Sequence, residues 1–509
     1  MSRLRKNKTF VLTAVSAFLC ALPFTFPSLF ILTWVGLAPF FGCLLQDDFF
    51  EKNKRTAFGS GFKWGFLYCL FIYYWFLRLY PLDFAGLTPI QAVGVIAVAW
   101  LGISAFQALF FGLGTLVFRI IGKKSPLILA LIFTLCELMW QFGEFSLPWC
   151  KISITQYKFL PAIQSASLFG NLFVSFLIYA VNAFIVCGLK NKRYFAAAAV
   201  LFFSNILYGS VMMNIPVNYT QKAEFALIQG NVASSEKWEY NSAKKSFEMF
   251  RGLSLEAADS QNPDFIIWPE SAVPVAMESY YKKDFLLIPK HTDSIFLTGA
   301  FGFEDGKSSN SLFVLDKDGA SDTVYHKRHL VPFGEYLPLR GFFEKCLPFV
   351  AEINMLSDDL YRGRDSAVME TEFGNIGSLI CFDSIFPDLM RESVRDGAQL
   401  VVLITNDSWY FDSPAVSQHA AQAVFRSVEN RRSIARCANT GISMLIDPHG
   451  RIIQSLGALR KGYVSGELGF TDTNTLYTYI GDVLWYAAAL YIIILMIRRF
   501  LKWKSKPFN

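Results

Sequence analysis

The chain has 509 residues, of which 53% are hydrophobic, 16% aromatic and only 17% charged, with a formal net charge of +6. Soluble domains carry about 25% charged residues, so this balance excludes an ordinary soluble protein and points to lipid. Of the nine cysteines, six fall in or beside apolar segments, and the three in the polar region form no CxxC pair and no regular spacing, so neither a disulfide framework nor a zinc site is indicated.

In chain order, eight apolar stretches read as membrane spans: 9–26, 28–46, 58–79, 89–118, 126–143, 164–188, 194–212 and 479–498. Most are near the ~20 residues that a helix needs to cross a bilayer core. Only Pro27 and Ser28 separate the first two, which read as a tight helical hairpin. The loops test this independently, because cytoplasmic loops collect Lys and Arg. Alternate connections, including the N-terminus and the C-terminal tail, hold eighteen basic residues; the other short loops hold only Arg78, Lys151 and Lys158. That alternation puts both termini in the cytoplasm and the long segment near 213–478 outside. Basic residues placed in this way belong to a membrane face, not to a nucleic-acid surface.

Glu137 and Glu144 fall in or beside the fifth span. An ionisable residue inside a span is a functional candidate by default; the opposing reading is solvation at the outer interface. Leu147-Pro148-Trp149 follows, either as an ordinary interfacial anchor or as a contact for the outer domain.

From about Glu224 short apolar runs alternate with helical patterns. Strands are expected over 225–232, 264–271, 294–302, 311–316, 374–383, 400–407 and 440–447, and helices over 236–258, 385–396 and 414–432. This alternation predicts an α/β domain with buried sheet. Three segments bring reactive groups to strand ends or adjoining loops: Glu270 in "IIWPES", Lys327 and Glu335 in "VYHKRHLVPFGEYLP", and Cys381 in "GSLICFDSIFP". Singly, each has a plain reading as core filler, turn residue or solvated charge. Together, a thiol, a carboxylate and an ammonium held by rigid strand ends are a set of the kind that concentrates at catalytic sites.

These residues resemble the nitrilase superfamily, whose catalytic set is Glu-Lys-Cys. Within it, "WPES", "HKRHLVPFGEYLP", "LICFDSIFP", "TNDSWY" with Gln418-His419, and "ANTGISMLIDPHG" are similar to the apolipoprotein N-acyltransferase family, as is the placing of the domain between the last two spans. The resemblance implies an αββα sandwich joined to a multi-pass α-helical membrane domain. It implies transfer of an acyl chain from a phospholipid donor to the amino group of a diacylglyceryl lipoprotein acceptor at the bacterial inner membrane, with no metal or cofactor. Carried over by position, Cys381 is the nucleophile, Glu270 the general base, Lys327 the stabiliser of the oxyanion and Glu335 a second essential carboxylate; Trp238 matches a tryptophan of acceptor handling. The family usually has Tyr-Glu after the nucleophile, whereas this chain has Phe382-Asp383. A hydroxyl is lost and the carboxylate is a methylene shorter, but a ring and a charge remain. The implied organisation is a seven-helix transmembrane domain over 1–212, a nitrilase-like catalytic domain over 220–472, a last transmembrane helix over 479–498 and a basic cytoplasmic tail over 499–509, in a monomer.

The chemistry is coherent without the family. A thiol near pKa 8.5 is only a few per cent ionised at neutral pH, so a base or a positive neighbour has to assist it. Glu270 is placed to take the proton, and Lys327 brings charge to the developing oxyanion, where losing such a donor costs roughly 10²–10³ in rate. Water would waste the thioester, so aromatic stretches at 340–350 and 409–416 are expected to act as apolar lids. Asn406, Asp407, Trp409 and His419 are expected to support the site and not to react. A membrane-anchored amidase that uses water as acceptor is the alternative enzyme; a transporter is the non-enzymatic one.

Overall fold

The computed structural model describes residues 2–82, 87–233, 242–278, 282–319, 321, 323–346 and 358–504. Among these, six helical stretches are long and apolar enough to cross a membrane: Asn7–Thr25, Pro27–Leu44, Pro89–Ile121, Asn171–Gly188, Arg193–Met212 and Val483–Lys502. The expected spans 58–79 and 126–143 are not among them. Lys54–Ile72 passes into a 3₁₀ turn over Tyr73–Leu79, and the apolar Pro126–Gln141 stretch is shorter. The expected 164–188 span is broken at Gly170, whose φ of +76° separates a short Ala166–Phe169 turn from the Asn171–Gly188 helix. The last helix starts at Val483, after Gly481 at φ +55°, and continues to Lys504.

The polar half contains twelve described strands: β1 (Gln221–Gln229), β2 (Phe265–Ile267), β3 (Ile295–Glu304), β4 (Lys307–Leu315), β5 (Tyr325–His326), β6 (Met369–Thr371), β7 (Gly374–Ile380), β8 (Leu400–Thr405), β9 (Ser433–Ala438), β10 (Ser443–Ile446), β11 (Ile452–Leu456) and β12 (Gly462–Phe470). They form two six-stranded sheets, ordered β12-β1-β2-β3-β4-β5 and β11-β10-β9-β8-β7-β6. The central strands β1, β2 and β3 run parallel, as do β7, β8 and β9. This is why β8 is the unbroken apolar run LVVLIT, buried at every position: a parallel strand covered on both faces has no polar side.

The sheets face each other across a core that includes Phe225, Phe265, Leu297, Ile380, Leu400, Val402, Ile404 and Cys437. The Ser242–Gln261 and Lys282–Thr292 helices cover the outer face of the first sheet through Phe247, Phe250, Phe285 and Ile288, which pack on Trp268 and Phe296. The Pro387–Arg395 and Pro414–Asn430 helices cover the second sheet, so the layers run α, β, β, α. This last layer is not a surface. Leu389, Met390, Ala421, Val424, Phe425 and Val428 share one continuous core with Trp64, Phe133, Trp149 and Tyr179 of the apolar half. The two halves are thus welded through the helix layer of the second sheet.

Glu137 takes part in this weld, and it is buried and not solvated. Its Oε1 accepts from the Tyr179 hydroxyl at 2.7 Å and the Ile152 amide at 2.8 Å, fixing the loop that carries Trp149. Glu144 is exposed, as the interfacial reading expects.

Candidate active site

Parallel strands deliver their carboxyl ends to one edge of a sheet, where open α/β folds place their ligands. Here β2 leads into Trp268-Pro269-Glu270, β7 into Cys381 and β8 into Asn406-Asp407, while Lys327 follows the short β5. The pairing of Ile380 with Ile404 sets the ends of β7 and β8 side by side.

Cys381 opens a 3₁₀ turn, Cys381–Ile385, and has φ +51°. That left-handed conformation costs a side-chain-bearing residue roughly 1–2 kcal/mol, so other bonds must hold it. Its carbonyl accepts from the Ser384 hydroxyl at 2.7 Å and lies 3.1 Å from His419 Nε2. Asp383 ties the same turn to the loop after β5: Oδ1 accepts from the His329 amide at 2.7 Å, and Oδ2 accepts from the Tyr325 hydroxyl at 2.9 Å and the Ile380 amide at 3.1 Å. Burial raises the Asp383 carboxyl to about 6, against the pull of those donors. Every acceptor atom of Asp383 is engaged in holding the backbone. Phe382 is buried and packs edge-on against Phe386, with centroids 5.4 Å apart. The ring and the charge at these two positions therefore serve as packing and clasp.

Glu270, Lys327 and Glu335 form one buried ionic chain. Lys327 Nζ lies 3.1 Å from Glu270 Oε1 and 2.8 Å from Glu335 Oε1, with the lysine side chain 1% exposed. Burial works against the ammonium, but the carboxylates of Glu270 and Glu335 outweigh it and hold Lys327 well above its ordinary value. Asn310 bridges both carboxylates through Nδ2, at 2.7 Å to Glu270 and 3.1 Å to Glu335. The Asn406 amide donates to Glu270 Oε2 at 2.8 Å, and the Val331 amide donates to Glu335 Oε2 at 2.8 Å. Gly299 leaves room for this arrangement, since a Cβ there would come within 2.7 Å of Glu270 Cα. Two carboxylates around one ammonium leave an excess negative charge beside the thiol. Burial and the Glu270 carboxylate push the Cys381 thiol well above its ordinary value, and Lys327 pulls it back only in part. The resting sulfur is therefore protonated, and a carboxylate is at hand to receive the proton.

Beneath the turn that Cys381 opens, Cys381, Asp407 and His419 bring ligand atoms within 4.8 Å of one another, a donor set of the zinc type. Arg436 fills the place of a cation: Nη2 lies 2.9 Å from Asp407 Oδ2 and 3.3 Å from His419 Nδ1. A divalent ion would meet the guanidinium, so the cluster is a hydrogen-bond network and not a metal site.

The loop of the apolar half reaches this network. Trp149 Nε1 donates to Gln418 Oε1 at 2.8 Å, and its ring stacks on His419. Trp75 and Trp149 both pack on Tyr410, with centroids 5.2 and 5.7 Å away. The Tyr336 hydroxyl donates to the Glu144 carbonyl at 2.7 Å, and Phe145 meets Phe333. Around this rim Phe333, Phe342 and Phe411 are exposed, whereas Tyr410 of the second expected lid packs against the core shared with the apolar half. Residues 347–350 of the first lid, and Trp238, lie outside the described residues. The site residues that the sequence reading did not single out are Asn310, Tyr325, Ser384 and Arg436. Each is an ordinary polar residue in its local pattern; Asn310, Tyr325 and Arg436 find their partners in other segments, and Ser384 closes the turn that Cys381 opens.

A family model for carbon-nitrogen hydrolases matches residues 217–476, and one for the apolipoprotein N-acyltransferase N-terminal domain matches residues 16–184. The chain is 32% identical to an apolipoprotein N-acyltransferase of Geobacter metallireducens, over 94% of this chain and 92% of that one. It is 30% identical to the protein of the same name from Gloeobacter violaceus, over 89% of this chain and 86% of that one. Among solved structures it is similar to Nit3 of Saccharomyces cerevisiae, a member of branch 10 of the nitrilase superfamily, with 19% identity and a TM-score of 0.40 over 52% of this chain and 95% of that one.

Proposed function

The chain belongs to the apolipoprotein N-acyltransferase family, and from that premise we propose that it moves an acyl chain from a membrane phospholipid to the N-terminal amine of a diacylglyceryl-cysteine lipoprotein, through a thioester on Cys381. It is a membrane-bound acyltransferase. The observation that carries the reading of the site is the convergence of Cys381, Glu270 and Lys327 at strand ends that the membrane half itself walls off.

In the first half-reaction the Cys381 sulfur attacks the ester carbonyl carbon while Glu270 takes the thiol proton. The carbonyl oxygen becomes an oxyanion, and Lys327 supplies fixed positive charge beside it in a site that water does not screen. The intermediate collapses, the C–O bond breaks, and Glu270 gives the proton to the departing lysophospholipid alcohol. In the second half the lipoprotein ammonium first loses a proton to solvent. The amine then attacks the thioester carbon and passes a second proton to Glu270, which returns it to the leaving sulfur. Glu335 holds Lys327 in place throughout. The relatives name acyl transfer, and nothing in the site favours amide hydrolysis with water as acceptor.

The alternation of basic loops supports a catalytic domain on the periplasmic face of the inner membrane with both termini in the cytoplasm, and the self-contained site supports a monomer. Full-length protein reconstituted with phospholipid vesicles and a diacylglyceryl-cysteine peptide tests the activity. The expected products are N-acylated peptide and lysophospholipid in equal amounts, both lost in Cys381→Ala. Release of free fatty acid, or turnover of a soluble amide, with no N-acylated peptide would overturn the reading.

A further inference from the structure

Residues 360–363 run along the loop that holds Lys327 and Glu335. The Leu360 amide donates to the Glu335 carbonyl at 3.0 Å, and the Gly363 amide donates to the Lys327 carbonyl at 2.9 Å. Gly363 permits that approach, since a Cβ there would collide with the His326 carbonyl oxygen. Arg362 lies between these two anchors, so its backbone is fixed while the residue is exposed. Its guanidinium carbon lies 5.3 Å from the centre of the Tyr336 ring. The Tyr336 hydroxyl donates to the Glu144 carbonyl of the membrane half at 2.7 Å. Arg362 thus stands at the seam where the Glu335 loop meets the membrane half, the same seam that sets Phe333 against Phe145.

The neighbouring arginines are committed. Arg328 pairs with Glu392, Arg340 with Asp359 and Glu344, and Arg364 with Asp305. Arg362 pairs with no carboxylate among the described residues, although the Glu144 charge also acts on Tyr336. A ring beneath a guanidinium engages its face and leaves the N–H donors at its edge free. The site has a use for such a cation. Glu270 and Glu335 outnumber the Lys327 ammonium, so an approaching anion meets repulsion unless a further positive charge offsets it. Arg362 and Arg328 both act on His329, which burial and their charge lower to about 4, so a positive field reaches inward from the seam. Of the two proposed substrates only the donor carries a phosphate, parted from either ester carbonyl by a glycerol bridge of roughly 5–8 Å. A carbonyl seated at Cys381 keeps its phosphate within that reach, and the planar fork of an arginine matches two phosphate oxygens.

We propose that Arg362 binds the phosphate of the phospholipid donor and so positions the ester carbonyl at Cys381, which makes it the residue that selects a phosphodiester lipid over a neutral ester. The proposal rests on a phospholipid as acyl donor. It assigns Arg362 to the first half-reaction alone, because the phosphate leaves with the lysophospholipid and the diacylglyceryl-cysteine acceptor brings none.

Arg362→Gln in the full-length protein, in detergent micelles, separates the two half-reactions. Single-turnover acylation of Cys381, read from the mass of its peptide, is expected to slow by roughly 10–100-fold with phosphatidylglycerol, the scale of losing a hydrogen-bonded charge. With 4-nitrophenyl palmitate, a neutral ester, acylation should match wild type. Thioester loaded from that ester should pass to a diacylglyceryl-cysteine peptide at the wild-type rate. Arg362→Lys keeps the charge without the fork and should recover part of the loss. An unchanged rate with phosphatidylglycerol, an equal fall with both donors, or a slower discharge to the peptide would overturn the proposal. A wild type that takes its acyl chain from 4-nitrophenyl palmitate but from no phospholipid would sink the proposed function, and the role of Arg362 with it.

Discussion

Glu335 sits closer to the Lys327 ammonium than Glu270 does, at 2.8 Å against 3.1 Å. The order of these distances suits a base that has to be released. If Lys327 were paired with Glu270 alone, the carboxylate expected to accept the thiol proton would be committed to its ion pair. Glu335→Gln keeps the shape and removes the competing charge. Acylation of Cys381 in a single turnover is expected to slow by roughly 10²-fold, the scale of losing one preorganised charged group, with the melting temperature little changed. A rate equal to wild type would mean that Glu335 has no hold on the reacting pair.

Lys327→Met removes the ammonium from between two buried carboxylates. Breaking a buried pair by taking one partner leaves uncompensated charge and costs about 3–5 kcal/mol. The variant is expected to be less stable in denaturant and to lose roughly 10²–10³ in acylation rate. Lys327→Arg should recover stability more than rate, since a planar fork cannot occupy the same point between two oxygens. Equal recovery of both would count against a precise place for the charge.

Asp383 and Asp407 give opposite pH dependences. Asp407 is held far below the usual carboxyl range by Arg436 and His419, so its contribution to stability is present above its unfolded value of about 3.9 and is lost as pH falls below it. Asp383 is raised by burial to about 6, so the folded state binds its proton more tightly than the unfolded chain does. Its contribution weakens as pH rises from about 4 to 6. Melting curves of Asp383→Asn and wild type should therefore diverge across that window, with wild type losing more stability on the way up. Parallel curves would contradict the buried, clasping carboxyl.

Cys346 is the exposed cysteine, while Cys43 and Cys187 are half-buried and the other six are buried. It lies on the Arg340–Cys346 helix at the rim of the site. With the catalytic domain outside, a membrane-impermeant maleimide should label intact spheroplasts at Cys346, and Cys346→Ser should abolish most labelling. Labelling only after the membrane is opened would reverse the proposed orientation.

The proposed site residues are legible in the sequence because strand ends in α/β folds announce themselves: an apolar run, then a break, then a polar side chain, as in IIWPE and GSLICFD. The strands with mixed character are not. In β9, SIARCA carries Arg436, whose charge is satisfied only by Asp407 on another loop, so no local pattern marks it as buried strand. β11 is an exposed edge and β12 pairs with β1 from the far end of the domain, relations that periodicity does not encode. The Lys282–Thr292 helix contains Pro289, which reads as a breaker. Asn310 is unremarkable in SSNSLF until β4 places it between Glu270 and Glu335. In sequence Trp149 has the ordinary character of an interfacial anchor, with a domain contact as the lesser alternative, and the stack on His419 decides for contact. Apolar length alone implies eight spans, whereas Gly170 and the 3₁₀ turn after Ile72 break two of them into shorter pieces.

The most direct test is the mass of the Cys381 peptide after the full-length protein meets phospholipid vesicles in the absence of any acceptor. An acyl adduct of lipid-chain mass on Cys381, released by hydroxylamine and discharged by a diacylglyceryl-cysteine peptide, is the result this account requires. Formation of N-acylated peptide with no adduct on that sulfur, or with full rate in Cys381→Ala, would contradict it.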